Sequence, residues 1–252
     1  MEADPIAPEV PLAIRLLSGA NDQRVATDFA ISMRSPGADQ ELILGYLYSD
    51  GIISHAAAVE RIEFPAADTA NVYLSPEVVF DPSAYHRVGY ANSSCGLCGK
   101  ADMDQLEQTI PYFPAKGRPK VEPSLLTRLP AILEQCQQLF AATGGIHATA
   151  LFSAEGELLA LTEDIGRHNA LDKLLGHALQ ADLFPWRDKI VLLSGRISYE
   201  LVQKAAMAGA PIIAAIGAPS SAAIDLATAT GTTLVGFLKS DKMNVYTYPE
   251  RL

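Results

Sequence analysis

The sequence predicts an α/β protein in two unequal units. Three short, nearly continuous apolar runs at 190–193, 211–216 and 233–237 alternate with helix-forming stretches, the pattern of parallel strands covered on both faces by crossover helices. The first third is instead strand-rich around a single helix. Between the two, Pro111, Pro114, Pro119 and Pro123 interleave with Lys116, Arg118 and Lys120, which reads as a mobile basic linker. The expected division is a smaller N-terminal α+β unit at 1–108, a linker at 109–123 and a larger mixed-sheet unit at 124–252.

Each element has a local reason. Val25, Thr27, Phe29, Ile31 and Met33 alternate with mostly smaller or polar neighbours, as in a half-buried strand. Pro36-Gly37 breaks that strand, Asp39 is placed to cap a helix carrying Leu42, Ile43, Tyr46 and Leu47, and Gly51 ends it. Two strands are expected at 59–64 and 71–74, and a short helix running through Leu106. Ser124 reads as the N-cap of a helix to Thr143, kinked or divided at Pro130 and stopped by Gly144-Gly145. Residues 147–152 and 158–162 read as paired strands across a turn at 154–156. Ala170, Leu171, Leu174, Leu175, Ala178 and Leu179 mark an amphipathic helix. Further helices are expected to about Met207 and through Ala229.

Composition narrows the function. A net charge of −10 over 252 residues repels a phosphate backbone, which argues against nucleic acid. No apolar run approaches the ~18 residues a membrane span needs. The acidic, proline-containing stretch 1–11 lacks the features of a secretion signal, so the expected location is the cytoplasm. Cys95, Cys98 and Cys136 form no even disulfide framework.

The loops that follow the three apolar runs should lie together at one sheet edge, where ligands of α/β sheets bind. They are 194–198, 217–221 and 238–242. The first two open helices, whose free N–H groups attract phosphate. Ser194, Ser198, Ser220 and Ser221 add hydroxyls, Gly195 permits close approach, and Arg196, Lys239 and Lys242 neutralise charge. The joint reading is a phosphorylated or nucleotide-bearing ligand, although ordinary helix caps would use the same residues. Arg167 and His168, in the run 164–169, exceed what a cap requires and are read as ligand-binding or orienting residues. His147 reads equally as a core histidine.

Cys95 and Cys98 sit where a glycine-rich loop enters a helix, with Gly96, Gly99 and Lys100 beside them. That setting favours an accessible thiolate. Zinc would want four ligands, and Cys136 falls on the apolar face with Leu129, Ile132, Leu133 and Phe140, as a core residue would. A zinc deaminase would carry H-x-E, and none occurs. Dithiol exchange and sulfur relay through a persulfide remain, with a non-catalytic cofactor chaperone as a third reading.

Several motifs in order carry a resemblance. They are S-S-C-G-L-C-G-K at 93–100, T-G-G-I-H-A-T-A-L-F at 143–152 and E-D-I-G-R-H-N-A-L-D-K at 163–173. L-S-G-R-I-S-Y-E-L-V-Q-K-A-A-M-A-G at 193–209, A-P-S-S-A-A at 218–223 and L-V-G-F-L-K-S-D-K-M-N-V-Y-T at 234–247 follow. Over nearly its whole length the chain resembles the formate dehydrogenase accessory sulfurtransferase family, FdhD. The resemblance implies a sulfur carrier that takes sulfur from a cysteine desulfurase and passes it to the molybdenum bis(molybdopterin guanine dinucleotide) cofactor, which formate dehydrogenase requires. It implies that Cys95 carries the persulfide and Cys98 assists, that residues 237–242 (Phe237, Leu238, Lys239, Ser240, Asp241 and Lys242) bind the cofactor, and that the protein is a homodimer. It also implies a C-terminal fold similar to cytidine deaminases, three-layered with a mixed sheet and without zinc. Relatives often carry arginine and glycine where this chain has Lys239, Ser240 and Asp241.

Overall fold

The computed structural model describes residues 4–20, 22–81 and 110–252. Cys95, Cys98 and the helix expected through Leu106 lie outside the described residues.

The N-terminal sheet contains β1 (Val10–Ser18), β2 (Val25–Arg34), β3 (Val59–Ala66) and β4 (Thr69–Leu74), in the order β2-β1-β4-β3. β1 and β4 are parallel, and the outer strands pair with them antiparallel. Leu12, Ile14 and Leu16 of β1 and Ala70, Val72 and Leu74 of β4 are buried on one face, as period-two alternation requires. Helix α1 (Asp39–Ser49) joins this core through Leu42, Ile43 and Leu47. The sequence reading missed β1, the strand that pairs with both β2 and β4. Asp39 does not cap α1: Ala38, at φ 53°, holds that position. The Asp39 carboxylate instead accepts two bonds from the buried Arg34 guanidinium, at 2.8 and 2.9 Å.

The second sheet runs β10-β9-β8-β7-β5-β6. Its strands are β5 (His147–Ser153), β6 (Leu158–Asp164), β7 (Lys189–Leu193), β8 (Ile212–Ala215), β9 (Thr233–Gly236) and β10 (Asn244–Thr247). β7, β8 and β9 are parallel, as their continuous apolar runs predicted. β5 is antiparallel to both β6 and β7, and β10, which the sequence reading missed, is antiparallel to β9. Alternate residues of the runs go to opposite faces. Val191, Leu193, Ile213 and Ala215 join the core that includes α5 (Arg167–Gln180), α6 (Tyr199–Met207) and α7 (Ser221–Thr230). Ile190, Leu192, Ile212 and Ala214 face a second core with Leu126, Leu129 and Leu133. Both faces are therefore covered, which makes this unit a three-layer α/β structure.

The region 124–143 is three short helices, α2 (Pro123–Leu126), α3 (Leu129–Cys136) and α4 (Gln138–Thr143). Pro130 falls in the first turn of α3, where its missing N–H costs nothing. Ser124 is not a cap, because Pro123 already starts α2 after Glu122. Gln137, extended at ψ 97°, separates α3 from α4. The Glu163 carboxylate accepts from Leu139 N and Phe140 N, both at 2.9 Å, and so anchors the start of α4. Gly144, at φ 66°, ends α4 as expected. Cys136 is exposed, not buried, because the sheet meets the face of α3 that carries Leu129 and Leu133.

Residues 110–123, read as a mobile linker, are fastened to the C-terminus. Arg251 donates to Arg118 O at 2.7 Å and Ala115 O at 3.0 Å, and Val121 N donates to Arg251 O at 2.8 Å. Ile110 and Val121 are buried.

Both sheets contribute to one core cluster, in which α1 packs against α5. A Cβ built on Gly45 would stand 1.8 Å from the Asp172 carbonyl oxygen, and one on Gly176 would stand 1.9 Å from the Glu41 carbonyl oxygen. Tyr48, its phenol pushed up by burial, donates its hydroxyl to Met207 O at 2.7 Å across the same seam.

Candidate functional site

The three loops named from sequence meet along the edge formed by the ends of β7, β8 and β9. Ile197 N donates to Ala218 O at 3.0 Å, and Ser220 N to Ile197 O at 2.9 Å. Phe237 N donates to Gly217 O at 3.0 Å and Leu238 N to Ala215 O at 3.0 Å. Glycine is required here by contact: a Cβ on Gly217 would stand 2.7 Å from the Gly195 carbonyl oxygen. Because β5 and β6 run antiparallel, the start of β5 and the end of β6 lie at this edge too, with His147 paired to Asp164. That pairing brings Arg167 and His168, at the start of α5, to the loop after β7.

Individual residues divide between structure and availability. Ser194 Oγ accepts from Ala148 N at 2.9 Å and lies 3.3 Å from His147 Nδ1. A Cβ on Gly195 would lie 3.1 Å from His147 Cε1 and 3.8 Å from Arg167 Cδ. Arg196 is exposed. Ser198 precedes α6, and its Oγ lies 3.1 Å from His168 Nε2, which is 3.0 Å from Glu200 Oε2. Both contacts fall on the same ring nitrogen, so the three side chains are not a proton-relay triad, which would use both ring nitrogens. Ser220 is the N-cap of α7, its Oγ accepting from Ala223 N at 3.2 Å. Ser221 is exposed at the first position of that helix.

The segment 237–242 has its own division of labour. Phe237 is 44% exposed and sits at φ 51°, a left-handed conformation that costs a bulky residue about 1 kcal/mol or more. Leu238 is fully buried in the second core, so its side chain anchors the loop and does not line it. Lys239 N donates to Lys242 O at 2.8 Å, closing a turn that leaves Lys239, Ser240, Asp241 and Lys242 exposed.

The edge is electrostatically positive around His147. Burial first, then Arg167, His168 and Arg196, hold its imidazole below the ordinary value of 6.5, against an opposing pull from Asp164. Asp164 is committed elsewhere. Fully buried, it pairs with Lys173 Nζ at 2.7 Å and accepts from Ser35 N, Gly166 N and Asn169 Nδ2 at 3.1, 2.9 and 3.1 Å. Asn169 Nδ2 also donates to Met33 O at 2.7 Å. This network fixes the turn that presents Arg167 and His168, and it draws on residues more than 120 positions away. No spacing rule could have found it. His147, ambiguous in the sequence, belongs to the site.

Among the described residues no group of three or more His, Cys, Asp or Glu side chains is placed to hold a metal ion. Among them, too, no helix is long and apolar enough to cross a membrane.

With this geometry in hand, the relationship to known proteins is direct. The FdhD/NarQ family model matches residues 7–252. The chain belongs to the FdhD/NarQ family. The sulfur carrier protein FdhD of Streptomyces avermitilis is 44% identical, covering 99% of this chain and 89% of that protein. The FdhD of Saccharolobus solfataricus is 41% identical, covering 100% and 92% respectively. A crystal structure described as a formate dehydrogenase accessory protein from Desulfotalea psychrophila superposes with a TM-score of 0.74 at 26% identity, covering 99% of this chain and 91% of that one.

Proposed function

We propose that this protein is a sulfur carrier and sulfurtransferase. It accepts sulfur from a cysteine desulfurase as a persulfide on Cys95 and delivers it to molybdenum bis(molybdopterin guanine dinucleotide), which formate dehydrogenase then uses. The observation that carries the reading is the convergence of 194–198, 217–221 and 237–242 at one sheet edge beside Arg167 and His168. A guanine dinucleotide presents pyrophosphates and a purine ring. Arg167, Arg196, Lys239 and Lys242 supply cations for the first. Phe237, exposed and held in a strained backbone, supplies an aromatic face for the second. Membership of the FdhD/NarQ family supports the sulfur chemistry.

In the loading step the Cys95 thiolate attacks the outer sulfur of a desulfurase persulfide. One S–S bond forms, one breaks, and the desulfurase cysteine leaves as thiolate, with no net redox change. Cys98 assists. The setting is cytoplasmic, and a homodimer is the working assembly. The molybdenum cofactor is the substrate of the second step and not a resident group.

The test is intact mass after incubation with a cysteine desulfurase and L-cysteine. Wild type should gain ~32 Da, removable by reductant, and Cys95→Ala should gain nothing. No gain in either protein would favour a non-catalytic cofactor chaperone. A Cys95–Cys98 disulfide in place of the gain would favour a dithiol oxidoreductase.

A further inference from the structure

One contact at the strand-end edge changes its chemistry with a single proton. Ser194 Oγ accepts from Ala148 N at 2.9 Å and faces His147 Nδ1 at 3.3 Å. A hydroxyl has one proton to give and two lone pairs to accept with. While Nδ1 is unprotonated, the Ser194 hydroxyl donates to it and is spent within the protein. When Nδ1 carries a proton, the imidazolium donates to the second lone pair of Ser194. The hydroxyl proton is then released from the pair, on the loop that borders Arg196.

The groups facing His147 favour the first state. Arg167 and His168 come from the start of α5, Arg196 from the loop after β7, and Asp164 from the end of β6. The first three oppose a positive imidazole, and Asp164 is already bound to Lys173 at 2.7 Å. A polyanion on Arg167 and Arg196 would cancel the opposing field. An opposite charge within about 4–6 Å moves a titration by about one pH unit or more.

We propose that His147 is a positioning residue that couples ligand binding to proton uptake. A nucleoside diphosphate group settling on Arg167 and Arg196 draws one proton from solvent onto His147, which turns the Ser194 hydroxyl toward the ligand's phosphate oxygens. The balance is one proton taken up, with no covalent bond between heavy atoms made or broken. This inference rests on the loop edge being the seat of the phosphate-bearing substrate.

The full-length protein and GDP as probe decide the matter. Calorimetry in two buffers of different ionisation enthalpy, at about pH 7, counts the protons bound with the ligand. Wild type should take up more protons than His147→Asn, by up to about half a proton per site for a one-unit rise of the ring midpoint. The Asn amide oxygen, borne on Cγ as Nδ1 is, still accepts from Ser194, and titration of the GDP phosphates is common to both proteins and cancels. In wild type alone, the His147 ring midpoint followed by NMR should rise by about one pH unit when GDP saturates the site. That second measurement stands if the variant folds poorly. Wild-type binding with an unmoved ring midpoint, or equal proton uptake by both proteins, overturns the coupling and leaves the seat intact. Absence of GDP binding to wild type overturns the seat, and the coupling with it.

Discussion

The seam around α5 and the strand-end edge both concentrate charged side chains, and they treat charge oppositely. In the seam, Asp164, Asp172, Lys173 and Lys204 are buried and answered. Lys204 Nζ lies 2.8 and 3.0 Å from the two Asp172 oxygens and 2.7 Å from Ser49 Oγ, which also donates to Asp172 at 3.1 Å. Burial pushes the Asp172 carboxyl up, and Lys204 and Ser49 pull it back. At the edge, Arg196, Lys239 and Lys242 reach water. A buried pair recovers little more than its own desolvation, so its use is to fix how elements meet. An exposed cation keeps its bonding capacity for a ligand. The seam therefore holds α1 and α5 in register, and the edge keeps its cations exposed.

The largest way to break this contrast is to force the seam apart. Gly45→Ala places a methyl 1.8 Å from backbone, with no flexible side chain to yield. A loss above about 4 kcal/mol in urea unfolding, or failure to fold, is expected. A variant that unfolds like wild type would mean that α1 and α5 are not in contact in solution.

Lys204→Met comes next, leaving Asp172 buried without its ammonium, at a cost of about 3 kcal/mol. Adding Asp172→Leu should restore most of that. If the double variant is no more stable than the single one, the pair contributes energy as well as register, and the contrast with the edge weakens.

The smallest effects sharpen the edge itself. Ser220→Ala should cost about 1 kcal/mol through loss of the α7 cap bond to Ala223 N. Ser221→Ala should stay within about 0.5 kcal/mol. Thermal unfolding of the two variants separates a structural serine from one available to a ligand, and equal losses would erase that distinction.

Much of the edge was legible in sequence because the runs at 190–193, 211–216 and 233–237 are apolar on both faces, and only a covered parallel strand needs that. Their trailing loops must then be neighbours. The caps were less legible. Asp39 and Ser124 have the oxygens that cap helices, but Arg34 claims the first and Pro123 starts the helix ahead of the second. Cys136 shares an apolar stripe with Leu129 and Leu133, yet the stripe is wider than the face that meets the sheet.

By itself the sequence determined the α/β class, the parallel strand order's raw material, the loop chemistry and the family, because periodicity and motif are local and survive without coordinates. Only tertiary structure decided three other things: that β1 joins β2 to β4, that residues 110–123 are strapped to Arg251, and that His147 faces Ser194 in the site. The reason is common to all three. Each depends on partners between 47 and 136 positions apart or on a strand pairing across the sheet, and the free energy of such contacts exists only once the chain has closed.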